Sequence, residues 1–153
     1  MSLPRHQPAS VEKMLMPWLV YALISAVSAA ATAILAKRGV EGVPSTLATA
    51  LRTVVVLIFA WLTVFQAGEG RVLSSLSRRS LIYLALSGLA TGVSWLAYFR
   101  ALQLGPASRV APIDKLSLPL TVLLAGLLLG EAVTWKVWVG ALLMTAGALL
   151  TIA

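Results

Sequence analysis

A chain of 153 residues with 59% hydrophobic and 11% charged side chains carries too few charges to cover a water-exposed surface. Its mean hydropathy is +0.94, and the lack of cysteine excludes disulfides and thiolate metal sites. The net charge of +7 comes from twelve basic residues scattered between apolar runs, a pattern that grips anionic lipid headgroups and sets orientation rather than binding nucleic acid.

Taken in chain order, residues 1–15 read as a polar N-terminal tail that holds the sole histidine, His6, a solvated residue. The first apolar block, Pro17 to Ala36, has twenty residues without a charge. It is longer than the ~7–15-residue core of a signal peptide and is predicted to span the membrane. "KRGVEGVPS" (Lys37 to Ser45) then supplies Gly39, Gly42 and Pro44 as helix breakers. A second block follows Arg52, from Thr53 to Gly68, and the polar loop "GEGRVLSSLSRR" closes it. The third block runs from Ser80 to Phe99 and the fourth from Val110 to Gly130, with "LGPAS" between them. "GEAVTWK" leads to the last block, Val137 to Ala153. Crossing ~30 Å of hydrocarbon takes roughly 20 helical residues, and none of the blocks alternates as a barrel strand must. The predicted fold class is all-α integral membrane: a five-transmembrane-helix bundle with helices at about 17–36, 47–67, 80–100, 107–130 and 132–153, forming one domain over residues 16–153.

The fourth block carries the most informative residues. "VAPIDKLSLPL" places Asp114 and Lys115 side by side in an apolar stretch, with Ser117 close behind. A helix starting near Arg109 puts Asp114 about 7–8 Å deep, where ionisable groups rarely face lipid and are functional candidates. Adjacent residues do not face each other on a helix, so Lys115 is not the expected mate of Asp114; Arg52 of the second helix, or a basic residue of another subunit, is. Two readings of Asp114 stay open: an ion pair that fixes helix packing, or a polar group lining a water-filled cavity. Arg52 either pairs inside the bundle or snorkels to the interface. Pro112 and Pro119 each remove a backbone donor. Pro112 is harmless if it falls in the helix's first turn, whereas Pro119 lies mid-span and marks a helix break of the kind that transporters use for substrate sites.

Ser87, Thr91, Ser94 and Tyr98 form one polar stripe on the third helix, with Trp95 beside it, and Ser25, Ser28 and Thr32 form another on the first. Such stripes bond across helices or line a cavity. "GLATG" and "GLLLG" are small-xxx-small patterns that allow close backbone approach. Glu131 is read as a cap of the last helix.

These residues carry a resemblance. "AYFRALQLGPASRVAPIDKLSLPLTVLLAGLLLGEAVTWKVWVGALLMTAGALL" is similar to the second half of an EamA domain, the repeat unit of the drug/metabolite transporter superfamily: a "YF-x-AL" segment, a small-residue break, a mid-helix proline, "LLLGE" and a glycine-punctuated last helix. "AILAKRGVEGV" and "ATALRTVVVLIFAW" resemble the first half of the short, single-repeat bacterial members, in which "DKLS" also recurs. The resemblance covers about Met16 to the end and implies export or exchange of a small metabolite or drug-like solute across a bacterial cytoplasmic membrane, by a multi-pass protein. Larger members often place a glutamate before the fourth-helix proline; Leu118 stands there in this chain.

An odd number of helices puts the termini on opposite sides. Arg5, Lys13, Arg71, Arg78, Arg79 and Lys136 flank one face, and Lys37, Arg38, Arg100 and Arg109 the other, joined by Arg52 and Lys115 if these snorkel. Such balance allows dual topology, and an antiparallel homodimer reproduces the inverted-repeat plan of larger transporters. A parallel dimer, or a separate partner subunit, is the alternative. The predicted function is a secondary transporter working by alternating access, coupled to a proton or another ion, with Asp114, Lys115, Ser117, Arg52, Thr91, Ser94, Trp95 and Tyr98 at the substrate and Pro119 at the break. A flippase for an amphipathic or lipid-linked cargo, and a non-transporting membrane subunit, are the alternatives. No cofactor, metal or nucleic acid is expected, and with no catalytic histidine, cysteine or convergent carboxylate pair the chain is not read as an enzyme.

Overall fold

The computed structural model describes the backbone of residues 9–153 and the side chains from Trp18 onward. Its order is α1 (Ala9–Gly39), α2 (Ser45–Ala67), a 3-10 turn (Glu69–Ser75), α3 (Arg78–Leu104), α4 (Ala107–Asp114), α5 (Ser117–Leu128) and α6 (Trp135–Leu150). Four segments are long and apolar enough to cross a membrane, α4 and α5 together making one of them, and α6 is a shorter apolar fifth. This is an all-helical five-span membrane protein.

The limits of the helices differ from expectation at several points. His6 and Arg5 lie outside the described residues, and residues 9–15, expected in the polar tail, belong to α1. The fourth span is two helices rather than the single helix expected over 107–130. The last helix begins at Trp135 instead of 132. Glu131 is not its cap: it lies four residues before the helix, exposed, while Thr134 holds the cap position without a side-chain hydrogen bond.

The chain divides into two units, residues 1–35 and 36–153. The first is the body of α1, whose side chains from Trp18 to Val27 are exposed, Ser25 among them, as is Ser28. In the second, α2 packs on α3, α3 on α4, and α6 on both α4 and α5.

Few side chains are buried: Ala36, Val40, Thr49, Phe99, Leu102, Ala141 and Ala148 within the second unit. Lipid tails are as apolar as leucine, so nothing drives these helices to hide leucines from their solvent. Close packing is therefore concentrated at one end, where Ala36, Val40, Phe99 and Leu102 form a core with Ala48, Tyr98, Ala107 and Val110 against it. Polar ties reinforce this end. The Lys37 ammonium donates to the carbonyls of Leu102 (2.6 Å) and Gly105 (3.0 Å), which the C-terminus of α3 would otherwise leave unpaired. Gln103 donates to the Val43 carbonyl at 2.6 Å and accepts from Arg100 at 3.1 Å. These contacts close one end of the bundle, called here the latched end.

At the opposite end the chain turns on glycines. Gly68 (φ +69°) ends α2, and Gly130 (φ +67°) follows α5; both take the left-handed conformation that costs glycine least. Gly130 of "GLLLG" is thus a turn residue, while a Cβ on Gly126 would sit 3.5 Å from Val133 where the chain folds back. Gly88 and Gly92 of "GLATG" have open space around them and make no close helix approach among the described residues. On α6 the small face Ala141, Thr145, Ala148 is the most buried part of the helix, as expected for close membrane packing.

Candidate functional site

The fourth span breaks at Lys115 and Leu116, and Pro119 explains the position. A proline ring clashes with the carbonyl four residues earlier and offers it no N–H; for Pro119 that carbonyl belongs to Lys115. The Lys115 carbonyl accepts instead from Leu118 N–H at 2.9 Å, and Leu116 N–H bonds the Ile113 carbonyl at 3.0 Å. The helix tightens for one turn, α4 ends at Asp114 and α5 starts at Ser117. Pro112, the sixth residue of α4, lies inside that helix and not in its first turn.

The break overturns the expected pairing of Asp114. Lys115 Nζ donates to Asp114 Oδ2 at 3.2 Å, the only ion pair among the described residues. The rule that neighbours diverge holds within a regular helix; here Asp114 is the last helical residue and Lys115 stands on the turn, so the two side chains converge. Lys115 is 53% exposed and Asp114 33%, which sets the carboxylate inward of the ammonium.

Arg52 does not reach Asp114. Its guanidinium stacks on Trp95 of α3, 4.0 Å from the ring centroid, with Phe99 at 5.5 Å. Trp95 and Phe99 share one face of α3, four residues apart. Ser94 and Tyr98, one position earlier, share the adjacent face and line a cleft of about 470 Å³ between α3 and α4. Arg109, Ile113, Asp114 and Ile152 complete its functional lining. Arg52 and Trp95 do not line that cleft; Tyr98 does, and its ring meets that of Phe99 at 6.4 Å.

The structure thus sorts the eight sequence candidates. Ser94, Tyr98 and Asp114 meet in the cleft. Lys115 and Ser117 flank the break, with Ser117 exposed at the first turn of α5. Arg52 and Trp95 form a stacked pair one face over. Thr91 lies apart: its hydroxyl is spent on the Ser87 carbonyl (2.9 Å) of its own helix, and the side chain is exposed. Sequence reasoning missed Arg109 as a lining residue, Ile152 at the chain's end, and Lys37 as a tie. Arg109 carried a signal, since a basic residue two positions into α4 lies one and a half turns from Asp114.

Pro119→Ala tests the origin of the break. It returns a donor to the Lys115 carbonyl, and because Pro119 stands in the first turn of α5, where proline is tolerated, little helix stability is at stake. The expected result is a thermal midpoint no lower than wild type with transport about tenfold slower, because the Asp114–Lys115 geometry is lost. A variant that transports normally would mean that the kink is incidental.

Two comparisons bear on this arrangement. Residues 16–153 match the model of the EamA-like transporter family. A protein of Sinorhizobium sp. named "Uncharacterized transporter in cobO 3'region" is 49% identical over 133 residues, covering 87% of this chain and 94% of that protein. No solved structure matches significantly. Five apolar spans, the broken fourth helix and a match over nearly the whole chain agree, and the chain belongs to the EamA-like transporter family as a multi-pass membrane transporter.

Proposed function

We propose that the protein is a secondary transporter of a small solute, working by alternating access as an antiparallel homodimer in a bacterial cytoplasmic membrane, with movement coupled to a proton or another ion. The observation that carries this reading is the ion pair Asp114–Lys115 at a proline break, beside a cleft large enough for a small molecule. A single five-helix repeat with balanced flanking charge supports the dimer, because two copies of opposite orientation rebuild an inverted repeat. The latched end corresponds to the closed side of the pathway, and its opening requires the Lys37 contacts to break.

The test is flux in proteoliposomes containing the full chain, against a panel of labelled amino acids, sugars, organic anions and amines. Saturable, counterflow-competent uptake of at least one solute above protein-free vesicles is expected. Reporters fused at the C-terminus should give signal from both sides of the membrane; signal from one side alone ends the antiparallel arrangement, and no flux for any class ends the transporter mechanism.

A further inference from the structure

The charge inventory of the spans is unequal. Arg52 is the eighth residue of α2, about 10 Å along the helix from its start. Among the described residues it makes no ion pair, since the only one joins Lys115 to Asp114. Among the residues whose side chains are described, no other acid is suited to it: Glu41, Glu69 and Glu131 lie in the connections, and Asp114 is already engaged. Within the four long spans Asp114 is the one carboxylate, against cations that include Arg52, Arg109 and Lys115, so positive charge is in excess.

The way Arg52 is held indicates what would balance it. Trp95 covers the flat face of the guanidinium, which leaves the in-plane N–H edge as the binding surface. That edge matches the oxygens of a carboxylate or phosphate, two bonds at a time, and stacking fixes its orientation beforehand. A guanidinium in a span is costly unless water or an anion meets it. Apart from Ser94, Tyr98, Arg109 and Asp114, the cleft wall is apolar, with Ala97, Ala101, Val110, Ile113 and Ile152. An organic cation would find only Asp114, already neutralised by Lys115, and an excess of positive charge around it.

We propose that Arg52, held flat on Trp95, binds the anionic head of the substrate, and that the cargo is an organic anion: a carboxylate or phosphate on an apolar body. This rests on the transport reading of the same site, yet it can be tested without flux. The purified full chain in neutral detergent is titrated with benzoate, phenyl phosphate and tetraphenylphosphonium while tryptophan emission is recorded. Because the chain has five tryptophans, Trp95→Phe identifies the responding one. The expected result is a saturable change with benzoate or phenyl phosphate, whichever is tighter naming the head group, and none in Trp95→Phe. Arg52→Gln should weaken it at least about tenfold, and Arg52→Lys should recover part of the loss. Circular dichroism and elution volume confirm that the variants fold; should Arg52→Gln fail to fold, the comparison of Arg52→Lys with Trp95→Phe decides. A saturable response to tetraphenylphosphonium lost in Asp114→Asn, no anion response, or an anion response indifferent to Arg52 each overturns the proposal. Anion binding at Trp95 without flux in vesicles would leave the anion site standing and remove the transport mechanism instead.

Discussion

Replacement of Asp114 by Asn, or of Lys115 by Gln, is expected to reduce transport about a hundredfold while the protein remains folded, each variant removing one charge-assisted contact of roughly 2–3 kcal/mol from the translocation cycle. The pair sits at the end of α4 with both groups partly exposed. Partly exposed pairs contribute only about 0–1 kcal/mol to stability, so the thermal midpoint in detergent should scarcely change. The two readings of Asp114 left open by the sequence separate here. A pair that merely fixes helix packing loses stability and keeps flux; a pair that responds to substrate or coupling ion loses flux and keeps stability. Flux and thermal unfolding measured on the same preparations distinguish them, and normal flux in both variants would move the site elsewhere.

The largest loss of stability is expected from Lys37→Met. Its ammonium holds two carbonyls at the end of α3, Leu102 and Gly105, at 2.6 and 3.0 Å. Methionine preserves the apolar stem but takes the donor from both acceptors, of which the Leu102 carbonyl belongs to a fully buried residue. Hydrogen bonds to charged groups contribute about 1.5–3 kcal/mol each, so a loss of about 2–4 kcal/mol in thermal or denaturant unfolding is expected, with Lys37→Arg retaining much of it. Because the chain has no cysteine, Thr49→Cys gives a clean probe of the same end. Thr49 is buried there. Its reaction with a water-soluble maleimide should speed up about tenfold when Lys37→Met is added, as expected of a local opening that costs about 1.4 kcal/mol less. Unchanged reactivity would place the closure in the apolar core alone.

How much of this was legible beforehand depended on the range of the interaction. The spans of α2 and α3 followed from counting apolar residues, and Pro119 announced a break, because a missing donor and a ring clash act over four residues. The position of that break was equally local, though it was the carbonyl of Lys115, four residues back, that had to be considered rather than the proline. The pairing of Asp114 was misjudged for the same reason: a rule for regular helices was applied where the helix stops. Polar stripes were a coarser guide. Ser94 and Tyr98 reached the cleft, whereas Thr91 turned its hydroxyl to its own backbone, as a β-hydroxyl in a helix often does. Glu131 was assigned to a cap by its charge, but the helix began later than composition suggested.

Sequence alone determined the solvent, the number of crossings, the family and the chemical character of the fourth helix, since each follows from side-chain transfer energies and backbone rules acting within one segment. Only the folded chain decided that Arg52 lies on Trp95 and not against Asp114, and that Lys37 ties off the last turn of α3 at Leu102, 65 residues away. In lipid, helices are not brought together by a need to hide leucine. Which faces meet is settled by shape and by a few polar contacts, and those partners are distant in the sequence.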